Sequence, residues 1–136
     1  MTAALMRATL DTNIAVYAMT QSVKQGIART TLRECEFLSV QVLNEYANYT
    51  VRKRKRTIEE VAEDLEVLTE VVPEIASIEW LEHRNALRIA ARYRLSFYDA
   101  LMIAVALAHG ATTLYSEDMH HGLVIEGRLT IRNPFV

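Results

Sequence analysis

The chain has 136 residues, of which 51% are hydrophobic and 24% are charged, and its formal net charge is -2 at pH 7. This length and composition predict one folded domain, residues 1–136, and exclude a disordered chain. The near-neutral charge excludes a surface that is basic throughout. Contact with nucleic acid would therefore require a local basic patch.

The sequence also carries signals about the cellular compartment. A single cysteine, Cys35, excludes an internal disulfide and fits a reducing environment. The first ten residues lack the charged-then-apolar order of a signal peptide. No apolar run is long enough to span a bilayer. We therefore expect a cytoplasmic protein that has no membrane partner.

Strand and helix patterns alternate along the chain. In chain order they predict a strand at 5–10, helices at 14–19 and 23–33, a strand at 35–38, helices at 40–54, 58–70 and 79–93, a helix between Ser96 and Gly110, and strands at 112–115, 123–125 and 129–131. Residues 74–78 are expected only to lead into the following helix. The alternation is typical of an α/β fold with a mainly parallel central sheet, here of four to five strands, and helices on both faces.

Polar residues follow the first predicted strand directly. Asp11, Thr12 and Asn13 stand between that strand and the next helix. Open α/β sheets bind ligands at the carboxyl ends of their strands, so this cluster is a candidate site. The alternative is that Asp11 or Thr12 only caps the helix.

The helix predicted at 40–54 carries two neighbouring stripes. The apolar stripe is expected to face the core and consists of Val42, Leu43, Tyr46, Ala47, Tyr49 and Thr50. The polar stripe consists of Gln41, Glu45, Asn48 and Arg52. Glu45 borders the apolar stripe, although an isolated helical glutamate is usually solvated. We expect both tyrosines to pack in the core or in a dimer interface rather than against RNA bases.

A dense basic run ends this helix and is followed by an acidic helix. The basic residues are Arg52, Lys53, Arg54, Lys55 and Arg56, and the acidic outer face of the next helix is expected to carry Glu59, Glu60, Glu63, Asp64 and Glu66. The two blocks either neutralise each other at the surface, or the basic run binds phosphates of a nucleic acid.

The most apolar stretch of the chain begins with one acid. After Asp99 no charged residue occurs through Ala108, so this helix is predicted to be buried on every side. Asp99 fits a capping box opened by Ser96. The alternative is that Asp99 lies at the rim of a core crevice, where several carboxylates hold a metal ion.

Polar residues also follow the strand predicted at 112–115. Ser116, Glu117 and Asp118 stand at its carboxyl end, and the residues alone leave open which of the two acids is a ligand. His120 and His121 are more typical of a loop than of a zinc site, because no matching cysteine or histidine pair occurs elsewhere.

Parallel topology is expected to bring four carboxylates together at one edge of the sheet: Asp11, Glu45, Asp99 and Asp118. Like charges about 4 Å apart repel by about 4 kcal/mol at an effective dielectric of 20, so the cluster requires a cation. An all-oxygen site favours Mg²⁺ or Mn²⁺ over zinc. Such ions assist displacement at phosphorus by activating water and neutralising charge.

Four segments, residues 6–14, 39–45, 95–101 and 114–118, resemble in sequence and order the motifs of the PIN-domain ribonucleases, and among them the VapC-like toxins of bacterial toxin–antitoxin pairs. The resemblance implies a PIN-like fold and a Mg²⁺- or Mn²⁺-dependent endoribonuclease that leaves a 5′-phosphate and a 3′-hydroxyl. The four carboxylates would form its catalytic and metal site, with Asp118 favoured over Glu117. The residues that orient them would be Thr12, Asn13 and Ser116.

The resemblance implies partners as well, namely an RNA substrate, a second copy of the chain in a homodimer, and a small antitoxin whose tail enters the site. The main alternative is a PIN-like module that binds RNA or protein without cutting, although the presence of all four acids argues against it. A metal-dependent phosphatase is a further alternative. Asn13, however, stands where haloacid-dehalogenase phosphatases require a second aspartate.

Overall fold

A computed structural model describes residues 6–136. Its elements are, in chain order, β1 (Arg7–Leu10), α1 (Thr12–Ala18), α2 (Gln25–Glu34), β2 (Phe37–Ser39), α3 (Val40–Lys53), α4 (Ile58–Val71), β3 (Glu74–Ala76), α5 (Trp80–Tyr93), α6 (Phe97–Ala108), β4 (Ala111–Tyr115), β5 (Val124–Ile125) and β6 (Leu129–Arg132). The predicted strand at 5–10 is present from Arg7 onward, and its first residue lies outside the described range. The other predicted elements are present, with ends shifted by one or two residues.

The central sheet has four strands in the order β1-β4-β6-β5. β4 pairs in parallel with β1 and β6, and only β5 runs antiparallel to its neighbour. A parallel ladder of β2 and β3 lies beside β1, since Thr9 Oγ1 donates a hydrogen bond to the Phe37 carbonyl (2.7 Å). The prediction of an α/β fold with a mainly parallel sheet is confirmed.

β3 was not predicted, because residues 74–78 were expected only to lead into α5. It has three residues and is set by its pairing with β2, in which Leu38 lies opposite Ile75. This pairing joins segments that are distant in the chain, and local hydrophobic periodicity does not report such pairing.

α6 is the central helix of the core. Its residues 100–107 are all buried, as their unbroken apolar character predicts. The helix lies against α5 and β4. Within residues 6–136, no helix has both the length and the apolar character needed to cross a membrane.

α3 buries a narrower stripe than predicted. Val42, Tyr46 and Thr50 recur every fourth residue and are buried, whereas Tyr49 is 41% exposed. Tyr49 therefore does not pack in the core of this chain, and the alternative that it packs in a dimer interface stays a prediction. A helix turns about 100° per residue, and this places Tyr49 on the flank of the buried stripe.

Candidate active site

Asp11 lies at the carboxyl edge of the sheet, held between β1 and β4. The register pairs Leu10 with Tyr115, so the next residues, Asp11 and Ser116, are neighbours. Ser116 Oγ donates a hydrogen bond to Asp11 Oδ2 (2.8 Å), and the Thr12 N–H donates to Oδ1 (2.7 Å). Asp11 therefore caps α1, as one interpretation of the sequence proposed, while remaining part of the polar cluster.

Glu45 reaches this edge from the second turn of α3. Ser39 caps the helix by accepting a hydrogen bond from the Val42 N–H (3.1 Å), which fixes where α3 starts. One oxygen of the half-buried Glu45 carboxylate then accepts a hydrogen bond from Thr12 Oγ1 (3.0 Å). Thr12 thus links α1 to α3 and orients Glu45.

Asp99 enters the site from the first turn of the buried helix. Ser96 caps α6 by accepting a hydrogen bond from the Asp99 N–H (3.2 Å). The Asp99 side chain lines the same cavity as Asp11 and Glu45. The helix start and the carboxylate cluster therefore both involve this residue.

Asn13 joins the acids that follow the two strands. Its Nδ2 donates to Asp118 Oδ2 (3.0 Å) and lies 3.5 Å from Asp11 Oδ2. Its Oδ1 accepts a hydrogen bond from the Glu117 N–H (3.3 Å). One amide side chain thereby fixes the loop after β4 against the start of α1.

Glu117 and Asp118 have different surroundings. Glu117 accepts a hydrogen bond from Tyr17 Oη (2.6 Å) and forms an ion pair with Lys24. These two contacts, the lysine first, lower the pKa of Glu117. Lys24 Nζ also lies over the rings of Tyr17 (4.8 Å) and Phe135 (5.1 Å). Glu117 therefore already has a cationic partner, which favours Asp118 as the acid available to the site.

Burial, and then charge repulsion, raises the pKa values of three site carboxylates, those of Asp11, Glu45 and Asp99. Burial is the largest cause for Asp11, whose pKa rises from 3.8 to about 6, and the charges of Asp99 and Glu45 add to it. The pKa of Glu45 is raised by burial and then by Asp99. The pKa of Asp99 is raised by burial and then by Asp118. The site accumulates negative charge that the hydrogen bonds from Ser116 and Thr12 only partly offset.

All four acids line one cavity of about 510 Å³, which we call the site cavity. Its oxygen donors, and the repulsion among them, fit a hard divalent cation such as Mg²⁺ or Mn²⁺. In the part of the chain that the structure describes, no three histidine, cysteine, aspartate or glutamate side chains are grouped closely enough to hold a metal ion. The carboxylate oxygens are thus suitable ligands for a cation, but in this structure they lie too far apart to coordinate one ion together.

The basic run divides between two environments. Arg52, Lys53 and Arg54 line the site cavity together with the acids, and we call these three residues the basic rim. Arg56 points elsewhere: it donates to both oxygens of Asp64 (3.2 and 2.6 Å) and to Glu60. Asp64 also accepts a hydrogen bond from the buried Tyr46. Asp64 is therefore buried and does not lie on the outer face of α4 as expected.

The model of the PIN domain family matches residues 8–122 of this chain. The chain belongs to the PIN domain family. The resemblance to PIN domains inferred from the four segments is thereby confirmed. No curated protein matches the chain significantly.

Solved structures share the fold. VapC20 from Mycobacterium tuberculosis, described as a sarcin–ricin loop cleaving toxin, superposes with a TM-score of 0.67 at 18% identity, covering 82% of this chain and 89% of that chain. A toxin–antitoxin complex from Klebsiella pneumoniae gives 0.71 at 18% identity, covering 93% and 97%. VapBC2 from Rickettsia felis, bound to a DNA fragment from its promoter, gives 0.63 at 20% identity, covering 83% and 89%. At these identities the likeness extends to the fold.

The PIN domain's site cavity also contains residues that the sequence did not single out. Tyr17 lines it beside Glu117, and Lys24 is the partner of that acid. Asn48 and Tyr49 also line it, and along α3 they lie between Glu45 and the basic rim. Asn48 was assigned only to a polar stripe and Tyr49 to the core. Lys24 carried no signal at all, because nothing in its local sequence relates it to Glu117.

Proposed function

We propose that this PIN domain is a metal-dependent endoribonuclease and the toxin of a toxin–antitoxin pair. One observation carries the proposal: four carboxylates and the three cations of the basic rim line the same cavity. Acids that hold a divalent cation, next to cations that hold phosphate, are what hydrolysis of a phosphodiester needs. Among the similar folds, VapC20 is described as a sarcin–ricin loop cleaving toxin and the Klebsiella pneumoniae structure is a toxin–antitoxin complex, which supports the same activity.

The residues that would hold Mg²⁺ or Mn²⁺ are Asp11, Glu45, Asp99 and Asp118. When bound there, the ion supplies an activated water and neutralises charge that develops on the phosphate. Three neighbours donate hydrogen bonds that fix the carboxylates before binding: Ser116 to Asp11, Thr12 to Glu45, and Asn13 to Asp118. These three are positioning residues, and truncation of any of them should weaken metal binding.

The basic rim would hold the phosphates that flank the cleaved bond. Arg52, Lys53 and Arg54 are exposed and line the cavity, so they are accessible to a polyanion. In-line attack by water on phosphorus, with cleavage of the P–O3′ bond, would leave a 5′-phosphate and a 3′-hydroxyl. Lys55 and Arg56 do not line the cavity, and Arg56 is engaged by Asp64, so we assign RNA contacts to the first three residues of the run.

The proposal extends to partners and compartment. We propose that the protein acts in the cytoplasm, forms a homodimer, and is inhibited by an antitoxin whose tail enters the site cavity. Expression of this chain alone should slow growth, and co-expression with a small protein encoded beside it should restore growth. Slow growth that the Asp118→Asn variant causes equally would contradict the toxin role.

The enzymatic claim is tested by incubating purified protein with single-stranded RNA and Mn²⁺. Cleavage should occur, should stop in EDTA, and should be lost in Asp99→Asn. A matched control is Glu63→Gln, which removes an exposed acid on α4 outside the cavity and should leave cleavage unchanged. Cleavage that persists in EDTA or in Asp99→Asn would refute the proposal. RNA binding without cleavage would instead identify a binding module.

A further inference from the structure

Tyr49 occupies a distinctive position in the site cavity. It lies on α3 one turn after Glu45, and Arg52 follows almost one turn later, so the three side chains share one flank of the helix. At 1.5 Å per residue, Tyr49 is about 6 Å and Arg52 about 10 Å beyond Glu45 along the helix axis. An aromatic side chain therefore stands between a site acid and the basic rim.

Tyr49 is not needed to complete the core. The Tyr49 side chain is 41% exposed and lines the cavity. Tyr46, three residues earlier on the same helix, is 2% exposed and donates a hydrogen bond to Asp64. A large aromatic surface that stays open to water at the wall of a polar cavity is unfavourable in free energy, because apolar area is left exposed. It is a surface on which a planar ligand group would be buried.

The surroundings of Tyr49 indicate what kind of ligand this is. Asn48 beside it offers an amide donor and acceptor, and the basic rim lies immediately beyond. Within residues 6–136, the five ion pairs leave Arg52, Lys53 and Arg54 unpaired. A nucleotide combines a planar base with an anionic phosphate, so it complements the aromatic, amide and cationic groups together.

We propose that Tyr49 is the stacking platform for an unpaired base of the RNA, with the adjacent phosphate on Arg52. The inference rests on the proposed ribonuclease function and specifies its substrate. A base stacked on Tyr49 has to leave its own helical stack, so the substrate is single-stranded or looped at this nucleotide. Tyr49 acts in binding and specificity, and no step of the chemistry is assigned to it.

The test measures binding of fluorescently labelled single-stranded RNA in EDTA, which prevents cleavage. Tyr49→Leu should lose about 5- to 150-fold in affinity, the range seen when a base-stacking aromatic is removed. Tyr49→Phe keeps the ring and should bind within about twofold of the wild type. Trp80→Leu removes an exposed aromatic outside the cavity and should change nothing. A duplex of the same sequence should bind more weakly to the wild type.

Salt dependence and abasic RNA separate stacking from other roles. Tyr49→Leu should keep the wild-type salt slope, whereas Arg52→Gln should flatten it by roughly 0.7 for the lost phosphate contact. An RNA series in which each base is removed in turn should show one position that weakens binding to the wild type but not to Tyr49→Leu.

Equal affinity of Tyr49→Leu and the wild type would overturn the inference. So would an equal loss in Tyr49→Phe, because the hydroxyl rather than the ring would then be responsible. An abasic series without a position coupled to Tyr49 would overturn it as well. A wild type that neither binds nor cuts single-stranded RNA would refute the proposed function instead.

Discussion

Asp11→Asn is the substitution whose effect on stability follows most directly from the structure. Asp11 is 7% exposed, and burial together with the charges of Asp99 and Glu45 raises its pKa from 3.8 to about 6. The raised pKa means that the folded protein binds the proton more tightly than the unfolded chain. Stability contributed by this group is therefore greatest at low pH and falls as the pH rises from about 4 to about 6.

The size of the effect follows from the same shift. At about 1.4 kcal/mol per pH unit, ionised Asp11 costs the metal-free fold about 3 kcal/mol above pH 6. Asparagine is nearly isosteric and carries no charge, so it does not incur this cost. Asp11→Asn should therefore be more stable than the wild type by up to about 3 kcal/mol near pH 7.5, and the difference should vanish near pH 4.

Urea unfolding in EDTA, followed by circular dichroism at the two pH values, measures the difference. Asp64→Asn is the matched control, because Asp64 is also 7% exposed but is bonded to Arg56 and Tyr46. This control should lose about 1–3 kcal/mol near pH 7.5, since its partners keep a weaker acceptor. An Asp11→Asn variant that is less stable than the wild type at neutral pH would refute the burial cost and the repulsion that we expect a bound cation to offset.

Other substitutions test separate parts of the account. In thermal melts, added Mn²⁺ should stabilise the wild type by about 2.7 kcal/mol at a hundredfold excess over the dissociation constant, and should stabilise Asp99→Asn less. Equal stabilisation of the two proteins by Mn²⁺ would show that Asp99 is not part of the metal site. Glu117→Gln should reduce RNA cleavage less than Asp118→Asn, because the Glu117 carboxylate is held by its lysine partner; the reverse order would make Glu117 the ligand. Arg54→Gln should weaken RNA binding and flatten the salt dependence of RNA affinity. Arg56→Gln should lower the midpoint of urea unfolding and leave the salt dependence of RNA affinity unchanged. A flattened salt dependence in Arg56→Gln would place that residue on the RNA.

The sequence was sufficient for most of the fold, because its signals are local. The unbroken apolar run of α6 predicts a buried helix, and the cap at Ser96 predicts where that helix begins. The strands that precede Asp11 and Ser116 predict that the two residues meet at one sheet edge. β3 was missed because its three residues are defined by pairing with a distant strand.

The candidate site was predicted less completely, because its remaining parts depend on side-chain direction and long-range contacts. The apolar-stripe pattern placed Tyr49 in the core, although a helical residue at the edge of a stripe faces either the core or a neighbouring cavity. The basic run showed five like charges, whereas the structure divides them through the Arg56–Asp64 pair. The Lys24–Glu117 pair spans 93 positions, so it leaves no local pattern.

We propose that four carboxylates hold a divalent cation that activates the water which cleaves RNA. Analysis of the product ends tests it most directly, using labelled single-stranded RNA, the purified protein and Mn²⁺. We expect 5′-phosphate and 3′-hydroxyl ends that form only when the metal is present. Products that end in a 2′,3′-cyclic phosphate, or cleavage that continues in EDTA, would contradict it, because the attacking oxygen would then be the RNA's own 2′-hydroxyl or the reaction would need no cation.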